Sequence, residues 1–204
     1  MGFLRLVAKP KVSAEQDDRE LAVRARGGDE GAFAMLVRRH QAGVRRCAAR
    51  IVGDQEEARD IAQLAFIRAW ENLGRYDITW SFSTWVYRIA TNLAIDALRS
   101  RDSRERTHTA HLRVVGETVG PTAPQDLAEG EVRRIFGELT AHLSPAQRLA
   151  FVLREVEGLD TSEVAAVMGC SEATVRNHVF QARGALRKAL ATRYPEYLPK
   201  GGRR

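Results

Sequence analysis

The sequence predicts an all-α fold: two small helical domains joined by a flexible linker, the C-terminal one with a helix-turn-helix. Three observations carry this prediction. Apolar residues recur at three- and four-residue spacing through most of the chain, the period of a helix with one buried face. Asp-to-Glu pairs three residues apart stand at the start of such stretches, as capping boxes do. Between residues 101 and 128 the period is lost, and Gly116, Gly120, Pro121 and Pro124 accumulate.

The first block runs from about 14 to 100. Phe33, Leu36, Val37, Val44, Cys47 and Ile51 share one helical stripe. Asp54 is a candidate N-cap with Glu57 at the reciprocal position, and Ile61, Leu64, Ala65 and Trp70 continue the buried side. "NLGRYDITWS" breaks the pattern. Ser81 or Ser83 can then cap a helix running through Trp85, Val86, Ile89, Leu93 and Leu98.

The segment 101–128 opens basic and offers little to bury, so it reads as a mobile linker, or one ordered only on a partner. His108 and His111 lie within it, without the further ligands a metal site needs. The second block covers 129–190. Val132, Ile135, Phe136 and Leu139 line one helix, and Ser144 and Pro145 fit the N-cap and first position of the next. Leu149, Val152, Leu153 and Val156 extend that helix to Gly158.

Two short helices follow across a tight break. Asp160 and Glu163 form the second capping pair, and Val164, Ala165 and Met168 give the helix its apolar side. Gly169 suits the positive φ of a sharp turn, and Ser171 can cap a last helix whose Val175, Val179, Ala182 and Leu186 point inward. A support helix, a Gly-containing turn and a second helix with a polar first half make a helix-turn-helix. On that second helix Glu172, Thr174, Arg176, Asn177 and Gln181 carry groups suited to base edges: Arg for guanine, Asn or Gln for adenine, Glu for cytosine. Arg183, Arg187 and Lys188 suit phosphate or solvent. The competing reading, a merely solvated helix face, would stand for an isolated helix but is weakened by the turn and support helix.

Composition bounds the partners. The chain has 204 residues, 44% hydrophobic and 28% charged, and a formal charge of +6 from 32 basic against 26 acidic residues. Each half holds the same excess, which permits a polyanion partner without requiring one. Cys47 and Cys170 show no zinc spacing, and only coordinates can decide whether they pair. No apolar stretch approaches a membrane span and "MGFLRLVAKP" is a poor signal peptide, so the expectation is a cytoplasmic chain with no membrane insertion and no cofactor.

The second block, through "LSPAQRLAFVLREVEGL", the helix-turn-helix and "ARGALR", resembles region 4 of bacterial sigma-70 family sigma factors of the extracytoplasmic-function group. "GDEGAFAMLVRRH", "GDQEEARDIAQLAFIRAWENL" and "FSTWVYRIATNLAIDALR" resemble region 2 of the same group, in the same order. The resemblance implies a promoter-specificity subunit of RNA polymerase, with no catalysis of its own. Its expected partners are core RNA polymerase (the β′ clamp helices and the β flap), promoter DNA that is double-stranded at −35 and a nontemplate single strand at −10, and an anti-sigma factor.

Residue chemistry in the first block agrees with strand handling. Seven of the chain's 14 aromatics fall between Phe66 and Tyr87. Phe66, Trp70 and Trp85 fit the buried stripes, whereas Tyr76 and Trp80 sit in the loop, free either to stack on bases or to anchor that loop. Carried over from the family, the −10 surface comprises Tyr76, Asp77, Thr79, Trp80, Ser81, Thr84, Arg88 and Asn92, and a nontemplate base is flipped into a pocket there. The −35 surface comprises Ser171, Glu172, Thr174, Arg176, Asn177, Gln181 and Arg183. Polymerase contact falls on Asp60, Gln63, Phe66 and Arg68, although Phe66 also fits simple packing.

The sequence departs from the family pattern at Leu64, where an acidic residue is common, and at Ala173, Asn177 and His178. His178 leaves two readings open, a titratable phosphate contact or packing. Two other functions compete. A dimeric regulator using only the helix-turn-helix needs two half-sites and no aromatic loop, and an enzyme needs a triad, metal pattern or phosphate loop that the sequence does not show.

Overall fold

The computed structural model describes residues 12–107 and 124–197. Among them the chain forms eight α-helices and no strand: α1 (Val12–Arg26), α2 (Glu30–Val52), α3 (Gln55–Glu71), α4 (Phe82–Thr107), α5 (Pro124–Thr140), α6 (Pro145–Phe151), α7 (Thr161–Met168) and α8 (Glu172–Arg193). The protein is therefore all-α, in two helical regions, α1–α4 and α5–α8. Linker residues 108–123, with His108 and His111, lie outside the described residues, as do the termini 1–11 and 198–204.

Local chemistry sets the helix starts. Asp29 accepts from the Ala32 amide at 2.9 Å and Asp54 from the Glu57 amide at 2.8 Å, each satisfying one otherwise unpaired N–H. The reciprocal half of the expected box at Asp54 does not form, because the Glu57 carboxylate pairs with Arg101. That same Arg101 donates to the Val52 carbonyl at the end of α2. A residue expected to open the linker thus ties α4 to both α2 and α3, and α4 continues through Thr107.

The first region packs α2, α3 and α4 around Leu36, Val44, Cys47, Ile51, Phe66, Phe82 and Val86, all buried. Each such side chain contributes about 1.5–3 kcal/mol by leaving water. Phe82, fully buried at the start of α4, is ringed by Phe33, His40, Tyr76 and Trp85, with centroids 5.5–6.4 Å away. On α1, buried Asp18 bonds Arg39 at 2.7 Å and His40 at 2.6 Å, fastening α1 to α2. Both cysteines are free thiols; Cys47 is fully buried, and burial raises its pKa.

In the second region Ser144 and Gln147 form a complete capping box with Pro145 inside the first turn. The helix expected to run on to Gly158 instead widens into a π turn at Val152–Val156, closed by the Glu157 amide on the Val152 carbonyl. Asp160 and Glu163 cap α7 reciprocally, Gly169 takes φ 64° at the interhelical turn, and the Ser171 hydroxyl accepts from the Thr174 amide. Val175, Val179 and Ala182 are buried as the stripe requires.

The two regions pack against each other, which the sequence did not foretell. One continuous core runs from α1–α4 into Leu149, Val152, Leu153, Val164 and Val175, and α7 lies along the start of α4. A smaller cluster of Leu143, Phe151 and Ala182 belongs to the second region itself.

Candidate nucleic-acid interface

The exposed polar face of the helix-turn-helix is built on α8. Arg176, Asn177, Phe180 and Gln181 are exposed, and Val175, Val179 and Ala182 fix the opposite side in the core. Arg176 pairs with Glu172 at 3.1 Å, one helical turn apart, with both side chains at least half exposed. That pairing is weak in water and aligns the guanidinium without burying it. Asn177 accepts from Gln181 at 3.4 Å, and Gln181 accepts from Gln147 of α6 at 2.7 Å. Ser171 and Thr174 bond each other at 2.9 Å at the helix start.

Arg183 behaves differently from its neighbours. Both Glu155 carboxylate oxygens take its Nη2 at 2.8 Å, so an internal anion already holds the group expected to meet DNA. His178 is half-buried, and its Nδ1 is sealed from solvent without a hydrogen-bond partner among the described residues, as in the packing reading. Sequence reasoning missed Phe180. It is 78% exposed on the turn after Arg176, and its signal was an apolar residue off the buried stripe of a capped helix.

In the first region the loop before α4 is folded by its own side chains. Asp77 accepts from the Thr79 amide at 2.9 Å, which also holds its carboxyl below the usual range. Ser81 caps α4 through the Thr84 amide. Tyr76 takes the anchoring alternative: it is buried, its ring packs on Trp85 and Phe82, and its hydroxyl donates to the Trp80 carbonyl at 2.7 Å. Burial pushes its pKa up to about 12. In this arrangement its ring serves as the apolar anchor of the loop and presents no free face. Trp80 keeps 39% of its surface exposed and lines a shallow cleft with Ala165, Gly169, Cys170 and Glu172 of the second region. Thr84 is also buried, its hydroxyl donated to Glu163 at 2.7 Å. Asp77, Thr79, Arg88 and Asn92 are exposed.

A third surface lies between α2 and α3. A groove of about 1080 Å³ is lined by Phe33, Val37, Gln63, Phe66, Ile67 and Trp70 among others. It brings together two of the expected polymerase residues, Gln63 and Phe66. Asp60 and Arg68 stand exposed on α3 outside its lining. Trp70, expected in the core, is 37% exposed along the groove, its ring 4.9 Å from that of Phe33. Among the described residues no group of three or more His, Cys, Asp or Glu could hold a metal.

The geometry defines an all-α chain with a capped helix-turn-helix behind a larger helical region, and comparison with known proteins places it further. Residues 36–104 match the family model of sigma-70 region 2, and 133–186 that of sigma-70 region 4. The RNA polymerase sigma-H factor of Pseudomonas aeruginosa is 36% identical over 183 residues, 86% of this chain and 95% of that protein. SigW of Bacillus subtilis, an extracytoplasmic-function sigma factor, is 34% identical over 80% of this chain and 91% of its own. The solved structure of CnrH in complex with the cytosolic domain of CnrY superposes with TM-score 0.69 at 25% identity, covering 87% of this chain and 99% of that one. The chain belongs to the sigma-70 family, as a sigma factor of the extracytoplasmic-function type. It binds RNA polymerase and takes part in promoter recognition.

One expectation is corrected. "Cytoplasmic" is not kept as a bare label for this chain, because sigma factors of this type are tied to membrane-anchored anti-sigma partners; CnrH was solved with the cytosolic domain of CnrY. Among the described residues no helix is long and apolar enough to cross a membrane.

Proposed function

We propose that this sigma factor reads a bipartite promoter, −35 as duplex through α8 and −10 as nontemplate single strand through the loop before α4. The observation that carries the reading is the α8 face: Arg176, Asn177 and Phe180 are exposed together on a helix whose opposite side is locked in the core. Arg and Asn supply major-groove hydrogen bonds, Phe180 supplies an apolar contact of the kind a thymine methyl takes, and Ser171, Glu172, Thr174 and Gln181 frame them. Arg183 reaches phosphate by exchanging Glu155 for the backbone.

At −10, Trp80 offers the stacking face, and Arg88 and Asn92, one turn apart and exposed, follow the strand. Asp77 and Thr79 shape the loop, Tyr76 anchors it from beneath, and the Ser81 and Thr84 hydroxyls serve at its end. The groove between α2 and α3 receives the β′ clamp helices, with Gln63, Phe66, Ile67 and Trp70 inside and Asp60 and Arg68 at its margin. The second region meets the β flap, and an anti-sigma factor is a further partner, as CnrY is for CnrH.

Transcription with purified chain and core polymerase on genomic fragments tests the reading: promoter-specific starts are expected, and their absence ends it. On a promoter so found, Arg176→Ala should cost about 1–3 kcal/mol of discrimination at its −35 base pair by footprinting. Equal discrimination by the variant would remove Arg176 from the set of base readers.

A further inference from the structure

We infer that the chain, free of polymerase, is closed on itself, and that Glu157 and Glu163 of the second region compete with the nontemplate strand for the first. The inference rests on the −10 reading above. Its observations lie along the contact between the regions, where two carboxylates of the second reach polar groups of the first.

Glu163 has two roles. One carboxylate oxygen caps α7 by accepting from the Asp160 amide at 2.7 Å. The other accepts from the Thr84 hydroxyl at 2.7 Å and the Ser81 hydroxyl at 3.1 Å. Those hydroxyls sit at the start of α4, where an anion is favoured and where the strand is expected to pass. An oxygen of a carboxylate and one of a phosphate diester make the same demand on them, so both cannot be satisfied together. Trp80 is involved in the same way, since its cleft is walled by Ala165, Gly169 and Cys170 and reaches Glu172 at the start of α8. Closure therefore crowds the strand surface and the first turn of the recognition helix at once.

Glu157 secures the closed form. The π turn delivers it into the contact, where its side chain is only 5% exposed. It takes Arg50 of α2 at 2.7 Å and the Tyr87 hydroxyl of α4 at 3.0 Å. Arg148 adds a bond to the Ile51 carbonyl at 3.2 Å. Tyr87 reaches Glu157 across Gly43: a Cβ there would stand 2.6 Å from the tyrosine oxygen. A buried carboxylate held this way resists small displacements, because losing either partner leaves a desolvated charge. Opening moves the whole contact and frees the Ser81, Thr84 and Trp80 surface in one step.

The test uses the full chain, solution scattering, and binding to a fluorescein-labelled pool of short single-stranded DNA of random sequence. Glu157→Gln with Glu163→Gln removes both charges and keeps the α7 cap, since Gln serves at that position. The double variant should expand in scattering and bind the pool about tenfold more tightly, as a strand-competent fraction raised tenfold requires. Glu20→Gln with Asp96→Asn, exposed residues outside the contact, makes the same charge change and should leave both readouts near wild type. Tyr87→Phe and Gly43→Ala alter no charge. Each should move both readouts the same way, by about two- to threefold in affinity.

A double variant as compact as wild type overturns the inference, as does one that expands with no affinity gain beyond the charge control. Failure of the −10 reading looks different: the expanded variant gains affinity that adding Trp80→Ala does not diminish.

Discussion

The two regions solve the same problem at different scales. The first encloses an aromatic cluster around Phe82 and fastens its outer helix through Asp18. Among the described residues the second has a small cluster of Leu143, Phe151 and Ala182 for itself and places Leu149, Leu153 and Val164 against the first. A small helical unit buries too little apolar surface to be strongly stable alone. The difference teaches that α8 is held by local caps and a shared core, whereas the loop before α4 rests on aromatics supplied by the first region itself.

The comparison can be broken most forcefully at Phe82. Phe82→Ala should cost about 3–5 kcal/mol by the cavity it leaves, measured by chemical denaturation. If the second region depends on the shared core, fluorescence and circular dichroism will report one transition at lower denaturant. Two separated transitions would show two independent units.

Asp18→Asn comes next, at about 1.5–3 kcal/mol for lost hydrogen bonds to charged partners. Burial acts to raise the Asp18 pKa, but the bonds from His40 and Arg39 outweigh it and hold the carboxyl below its usual value. Its stabilisation is therefore fully present above the unfolded pKa of about 3.9 and is lost as the pH falls through the lower folded value. Acid titrations of wild type and Asp18→Asn should begin to approach each other below about pH 4 and meet only below the lowered folded value; curves that stay parallel would deny Asp18 this role.

Trp80→Ala probes the loop without its core. A lost base stack is worth about 1–3 kcal/mol, so permanganate reactivity at −10 should fall in the polymerase complex while initial capture changes less. Stability should change little, since Trp80 lies at the surface. Unchanged opening would return Trp80 to the anchoring reading. The smallest effect belongs to Ser171→Ala, at about 1 kcal/mol for a lost cap. Hydrogen exchange should quicken in the first turn of α8 and nowhere in α2–α4.

Much of this was legible in the sequence because helix boundaries are local events. Asp54, Ser144, Asp160, Gly169 and Ser171 act within four residues of themselves, and each does what its residue type suggests. The misses share a cause. Glu57 left its cap for Arg101 across two helices, and the helix before Gly158 widened where Glu157 enters the contact. Phe180 stayed unremarked because an apolar residue on a helix reads as core until its exposure is seen.

The sequence by itself determined the all-α class, the two regions, the helix-turn-helix and the polar set on α8, because period and capping depend on neighbours a turn away. The tertiary structure decided which of those side chains are free. It buried Tyr76 and Thr84, left Trp80 and Phe180 exposed, and gave Glu157 and Glu163 partners 70 or more residues distant. Such pairings follow from how helices come together in space, which no local period encodes.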